Sequence, residues 1–195
     1  GVLAVADTVK DSAREAVAAL HERGTEIHML TGDNERTARA VAAELGIDEA
    51  NVRAGVKPEE KAETVEELSE DGTVGMVGDG VNDAPALAAA AVGLAIGSGT
   101  DVAIEAGDVT LMGSDPMDVV RAIRISEGTI AKIKQNLFWA LAYNTSMVPL
   151  ASLALIQPIY AAAAMSFSSF SVLINSITFR AYDAEKPYKF LGRFR

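Results

Sequence analysis

From Gln135 to Phe179 the chain runs for 45 residues without a single Asp, Glu, Lys, Arg or His. A helix needs about 20 apolar residues to cross a bilayer. This run therefore has room for two spans, about 136–156 and 159–179, with a tight turn at Gln157-Pro158. Lys132 and Lys134 precede it, and Arg180, Lys186, Lys189, Arg193 and Arg195 follow it. Basic flanks at both ends put both on the cytoplasmic side, as a helical hairpin requires. The competing reading is a buried hairpin in a soluble protein, but few soluble hairpins dispense with charge over such a length.

The first part is of another kind. Residues 1–135 hold 12 Lys/Arg and 25 Asp/Glu, against 5 and 2 in residues 136–195. An acidic half is thus joined to an uncharged one. No basic stripe exists to meet nucleic-acid phosphates, so nucleic acid is excluded as a partner. With no Cys in the chain, disulfides and Cys-based metal sites are excluded too. Gly1-Val-Leu-Ala-Val-Ala-Asp reads as a buried strand rather than a signal peptide. A start on Gly gives the look of a piece cut from something longer.

Up to about Met112, short apolar runs alternate with helical patterns. The spacing predicts strands at Val2–Ala6, Ile27–Leu30, Thr73–Val77, Val92–Ile96 and Val109–Met112. It predicts helices near 12–23, 34–45, 59–70, 83–90 and 100–106, with a Ser12/Glu15 capping box and stops at Gly24 and Gly46. Short apolar strands separated by helices imply a parallel sheet covered on both faces, a doubly wound α/β domain. In that architecture ligands bind beyond the carboxyl ends of the strands.

Two loops fall there. Thr31-Gly32-Asp33-Asn34 follows Leu30, and Gly78-Asp79-Gly80-Val81-Asn82-Asp83-Ala84-Pro85 follows Val77. Asp79 and Asp83, with Asn82, offer hard oxygens suited to Mg²⁺, which commonly binds through one or two carboxylates plus phosphate oxygens. Thr31 offers a hydroxyl to a phosphoryl oxygen, and the amides opening the helix at Asn34 favour an anion. Lys61, at a helix start feeding the same edge, could neutralise a transferring phosphoryl group. Taken singly, each is an ordinary turn residue or surface charge; the conjunction points to phosphate chemistry. Gly97-Ser98-Gly99-Thr100 lacks the Lys of a P-loop and reads as a turn capping a helix at Asp101.

"MLTGDN", "KPEEK" and "MVGDGVNDAPAL" resemble the second half of the phosphorylation domain of P-type ATPases, members of the haloacid-dehalogenase-like superfamily. The resemblance extends through the hairpin. It implies a Rossmannoid parallel sheet in which Thr31 and Lys61 bind the phosphoryl group, Gly32 and Asp33 shape the loop, and Asp79 coordinates Mg²⁺ with support from Asn82 and Asp83. Residues 1–134 are then the C-terminal part of a cytoplasmic phosphorylation domain, 135–180 a transmembrane hairpin, and 181–195 a cytoplasmic basic tail.

Asn136, Tyr143-Asn144 and Pro149, with Met165, Ser168-Ser169 and Asn175, are similar in spacing to the last two membrane helices of Cu(I)-exporting members. The resemblance implies a transported-metal site at Tyr143, Asn144, Met165 and Ser169. Met165 and Ser169 lie four apart on one helical face, and a thioether favours Cu(I) over hard cations. Relatives proposed to prefer Cu(II) carry a similar Met-Ser-x-Ser-Thr pattern, so Cu(II) or another soft metal stays open. Ser166, Ser171 and Thr145 read as glue between helices. The implied partners are ATP, the lipid bilayer, the upstream domains of the same polypeptide and a copper chaperone.

The family's phosphorylated Asp lies in Asp-Lys-Thr-Gly-Thr, a stretch absent here, as is the Cys-Pro-Cys of the sixth membrane helix. The chain alone is expected to be inactive. Two rivals remain at this level. One is a phosphatase using Asp7, which would lack the usual acid two residues later because position 9 is Val. The other is a truncated membrane protein that only binds metal.

Overall fold

The computed structural model describes residues 9–97 and 100–186. The predicted strand Val2–Ala6, Asp7, Ser98, Gly99 and the tail from residue 187 lie outside the described residues. The chain divides into two compact units, Gly1–Val120 and Arg121–Arg195.

In the first unit, helices α1 (Asp11–His21), α2 (Glu35–Leu45), α3 (Pro58–Asp71), α4 (Ala84–Ala89) and α5 (Asp101–Ala106) alternate with short strands. Strands β1 (Met29–Leu30) and β2 (Val52–Arg53) pair in parallel. Strands β3 (Gly75–Gly78), β4 (Val92–Ile96) and β5 (Val109–Leu111) form a second parallel set in that order. Every connection between paired strands carries a helix, as parallel pairing demands.

The predicted elements are recovered within two residues or so, except β2, which the sequence reading passed over. It is two residues long, too short to show a period. Central β4 is covered, with Gly93, Leu94 and Ala95 buried, whereas Val77 on β3 and Val109 on β5 remain exposed. Coverage on both faces therefore holds for β4 and not for its neighbours. The core joins Leu87 of α4, Ala95 of β4 and Ala103 of α5, with Met76 and Ile104 packed against it. Gly93 lets α4 press close: a Cβ there would meet the Leu87 carbonyl oxygen at 2.6 Å.

Local chemistry sets the helix ends. Asn34 caps α2 by accepting from the Thr37 amide at 3.0 Å, and Gly46 closes it at φ 77°. Thr100 caps α5 through the Ala103 amide, as the turn reading expected. The Ser12/Glu15 capping box does not form. Helix α1 already begins at Asp11, so Ser12 sits inside the first turn, and the N-cap residue, Lys10, supplies no side-chain cap.

In the second unit α7 (Pro158–Thr178) follows α6 (Met117–Ser152), a 36-residue helix that starts within the first unit and runs unbroken into the second. The expected first span reaches 156, but the helix stops at Ser152. Leu155 N–H bonds the Leu150 carbonyl and Ala154 N–H the Ala151 carbonyl, with Ala154 at φ 54°. This is a left-handed helix stop with Ala where Gly is usual, which is why no glycine announced it. Among the described residues one stretch, Ile159–Ala181, is long and apolar enough to cross a membrane, at a mean hydropathy of 1.4. The 17 residues from Asn136 to Ser152 rise only about 26 Å, slightly short of the hydrocarbon core.

Candidate functional site

Lys61 and Asp83 meet in a partly buried ion pair at 2.7 Å, each side chain 13% exposed. The pair fixes the layout of the site. Lys61 lies in the first turn of α3, eight residues beyond the end of β2, and Asp83 lies five residues beyond the end of β3. The carboxyl ends of both strand sets therefore converge here, where a parallel α/β fold receives ligands.

Asp83 has both carboxylate oxygens engaged. Oδ1 accepts from Lys61, and Oδ2 accepts from the backbone amides of Asp79 and Gly80, each at 3.3 Å. Gly78 makes room: a Cβ there would lie 2.6 Å from the Asp83 Cβ. The carboxylate folds back under its own loop and braces it. Asp79, at the rim, is exposed, and its carboxylate makes no hydrogen bond or ion pair among the described residues. Its carbonyl accepts from the Thr100 amide at 3.0 Å, which pins the loop from the β4 side. Asn82 is exposed on the same loop. The geometry gives the three acidic-loop residues distinct positions: Asp79 open, Asn82 beside it, Asp83 structural.

The Thr31 loop is held by a second loop that the sequence reading missed. Thr31 N–H bonds the Arg53 carbonyl at 3.0 Å, Val56 N–H bonds the Thr31 carbonyl at 3.0 Å, and Gly55 N–H bonds the Asp33 carbonyl at 2.8 Å. Gly55 sits at φ 67°, a conformation that costs an L-residue about 1–2 kcal/mol. A glycine two residues after Val52-Arg53 was the available signal. Thr31 Oγ1 accepts from the Asp33 amide at 3.1 Å, so its own hydroxyl proton remains to be donated. Gly32 and Asp33 are exposed.

Four residues lie between Val56 and Lys61, so the backbone itself ties the Thr31 loop to the ion pair. Helix α3 is fixed at this end by Glu60, whose carboxylate accepts from the Lys57 amide at 2.8 Å. Arg53 reaches from β2 to Glu67 at 2.8 Å and to Thr64 at 3.3 Å. The hydrogen bond from Arg53, together with its charge, holds Glu67 below the usual carboxylate range.

Magnesium fits this arrangement through Asp79, an open carboxylate at a strand end that would share the ion with phosphate oxygens. It does not fit Asp83 as a direct ligand, since Lys61 and two amides already hold its oxygens. Among the described residues no three His, Cys, Asp or Glu side chains form a self-sufficient metal cage.

The four expected transport residues lie in the second unit. Tyr143 Oη stands 3.5 Å from Ser171 Oγ, so Ser171 does bridge the helices. Asn144 donates to the Ala140 carbonyl at 2.8 Å, and Ser169 to the Met165 carbonyl at 3.3 Å. Met165 is 65% exposed, and Asn144 and Ser169 are exposed too. Among the described residues, no hydrogen bond joins Tyr143 or Asn144 on α6 to Met165 or Ser169 on α7. Ser166 donates to its own helix at the Ala162 carbonyl at 3.1 Å.

The chain is similar to known proteins over most of its length. Residues 1–91 match the family model of haloacid dehalogenase-like hydrolases. The chain is 52% identical over 179 residues to a probable copper-importing P-type ATPase A of Enterococcus hirae, covering 91% of this chain and 25% of that protein. It is 52% identical over 190 residues to a copper-exporting P-type ATPase of Staphylococcus aureus (strain JH9), covering 97% of this chain and 23% of that protein. Among solved structures, a zinc-transporting PIB-type ATPase in an E2·Pi state superposes with a TM-score of 0.80 at 37% identity, over 88% of this chain and 28% of that one. The chain belongs to the P-type ATPases, in the haloacid-dehalogenase-like superfamily. It spans about a quarter of the length of these relatives.

Proposed function

We propose that this chain is the C-terminal portion of an ATP-driven heavy-metal pump, multi-pass in the cell membrane, with Cu(I) as its cargo. The observation that carries the proposal is the open carboxylate of Asp79, set on a loop braced by the Lys61–Asp83 pair at the carboxyl edge of the strands.

In this reading the γ-phosphoryl group of ATP passes to an Asp carboxylate upstream of this chain, forming an acyl phosphate and releasing ADP; water later cleaves the acyl phosphate. Thr31 donates its free hydroxyl proton to a phosphoryl oxygen. Gly32 and Asp33 hold the loop that presents it. Lys61 neutralises charge spread over the phosphoryl oxygens in transit, the main task of a phosphoryl-transfer site. Asp79, flanked by Asn82, would hold Mg²⁺, which would supply positive charge to offset that of the phosphoryl oxygens. Asp83 orients both Lys61 and the Asp79 loop. In the membrane, Tyr143, Asn144, Met165 and Ser169 line the metal's path together with helices contributed upstream; polar side chains in a span face a bundle interior or pathway. A copper chaperone delivers the ion.

Copper rests on Met165 as a soft thioether, on the absence of any charged ligand in α7, and on the copper transport ascribed to two relatives at 52% identity. One of those relatives is described as importing and the other as exporting, so this segment does not encode direction by itself; export follows from the motif resemblance.

The test is the intact polypeptide in lipid vesicles. Cu(I) stimulates ATP hydrolysis and moves across the bilayer in the wild type. In Met165→Ala, Cu(I) binding weakens by roughly tenfold or more, since losing even an outer-shell partner of a metal ligand costs that much, while Mg²⁺-dependent phosphorylation from ATP persists. Cu(I)-independent hydrolysis, or equal Cu(I) binding in Met165→Ala, would overturn the cargo assignment.

A further inference from the structure

Lys132 is 7% exposed, yet among the described residues its ammonium meets no carboxylate: it donates to Asn175 Oδ1 at 2.7 Å and to Thr178 Oγ1 at 3.1 Å. A buried ammonium satisfied only by neutral groups is a poor source of stability, so its retention calls for another reason.

Its partners form an ordered chain. Lys132 only donates, so Asn175 must turn its carbonyl oxygen toward it. The Asn175 amide then donates to Asn136 Oδ1 at 2.8 Å, the Asn136 amide to Ser176 Oγ at 2.9 Å, and Ser176 to the Val172 carbonyl at 2.8 Å. Every bond points away from the ammonium, so its charge polarises and strengthens each one in turn. The ladder crosses three times between α6 and α7.

One turn earlier on α6, Gly128 admits a second contact. A Cβ there would lie 3.0 Å from the Phe179 ring and 3.3 Å from Tyr182, whose rings stack at 5.3 Å. Arg124, another turn back, donates to the Glu185 carbonyl at 2.7 Å. Positions 124, 128, 132 and 136 are four apart and make one stripe on α6, engaged along its length by the end of α7 and the segment after it. From Lys132 to Ser152 the helix rises about 30 Å, the thickness of the hydrocarbon core. The stripe therefore sits at the open end of the helix pair, where α6 arrives from the first unit.

We infer that Lys132 and Asn175 are positioning residues that lock α6 and α7 into one body, so that a displacement of α6 driven by phosphoryl transfer reaches α7 rather than being lost as sliding between the helices. The inference rests on the pump reading. Tyr143 and Met165 stand on the two helices that this ladder joins.

The experiment uses the full-length protein in vesicles and measures Cu(I) moved per ATP hydrolysed. Lys132→Met and Asn175→Leu are expected to keep Cu(I)-stimulated ATP hydrolysis within about twofold of wild type while the transport ratio falls roughly tenfold, the scale of one lost charge-assisted hydrogen bond. Lys132→Arg, which still donates, restores most of the ratio. Where Lys132→Met gives too little folded protein, Gly128→Ala is read in the same way, since its methyl wedges the same face. An unchanged ratio in these variants overturns the inference, as does a parallel fall in hydrolysis and transport. A wild type with no Cu(I)-stimulated hydrolysis overturns the pump reading, and the inference with it; a working wild type with unaltered variant ratios overturns the inference alone.

Discussion

Asp83 is one carboxylate with two duties, and they make different predictions from those of a metal ligand. Its ion pair with Lys61 is mostly shielded from water. Removing one partner from such a pair leaves the other charge uncompensated, a loss of about 3–5 kcal/mol at full burial and less at this partial exposure. Asp83→Ala and Lys61→Ala should each lower the unfolding midpoint, and the double variant should cost clearly less than the sum; strict additivity in the cycle would deny the coupling. Gly78→Ala drives a methyl into Asp83 and should cost about 1–3 kcal/mol through overpacking, read by denaturant unfolding. At the periphery, Glu67 is held below its ordinary range by Arg53. A depressed carboxylate pKa stabilises the fold above the unfolded-state value, and that contribution is lost as pH falls through the folded-state value. The difference in unfolding midpoint between wild type and Glu67→Gln should therefore shrink on acidification. The candidate residues were legible because glycines punctuate both loops, but the division of labour was not. No spacing rule says that Asp83 turns under the loop while Asp79 stays open; the missing side chain at Gly78 and the reach of Lys61 decide it.

At the scale of elements, the sequence signals succeeded where an end has a chemical marker. Asn34 and Gly46 bracket α2 because a side-chain acceptor and a left-handed residue satisfy orphan backbone groups. Asn34→Ala should cost about 1 kcal/mol in thermal unfolding and loosen the neighbouring Thr31 loop; an unchanged melting temperature would contradict the cap. The signals failed where the marker is absent. Strand β2 is only two residues long, and its worth lies in the bonds from Arg53, Gly55 and Val56 to the Thr31 loop. The end of α6 hides because Ala154 occupies a left-handed stop. Ala154→Gly should relieve about 1 kcal/mol of backbone strain, seen as a raised melting temperature in detergent; destabilisation would mean that the Ala methyl is needed there. Ser12 and Glu15 show the converse failure, a capping pattern overruled because α1 starts two residues too early to use it.

At the scale of the whole molecule, the fold was readable from strand–helix alternation, since parallel strands must be joined by helices. The charge-free run announced the membrane part, although it resolves into one self-sufficient spanning helix and the end of a much longer one. What one sequence could not supply is the completion of either site. On the proposed reading Asp79, Thr31 and Lys61 serve a phosphoryl group whose nucleophile lies upstream, and Met165 and Ser169 are exposed on α7 with no hydrogen bond to Asn144 among the described residues. Both half-sites accord with a chain that spans about a quarter of its relatives. The most direct test of this account is transfer of labelled phosphate from ATP to the intact polypeptide in the presence of Mg²⁺ and Cu(I). The account predicts a labelled wild type and an unlabelled Asp79→Ala that still binds Cu(I); equal labelling of the two, or labelling of residues 1–195 alone, would contradict it.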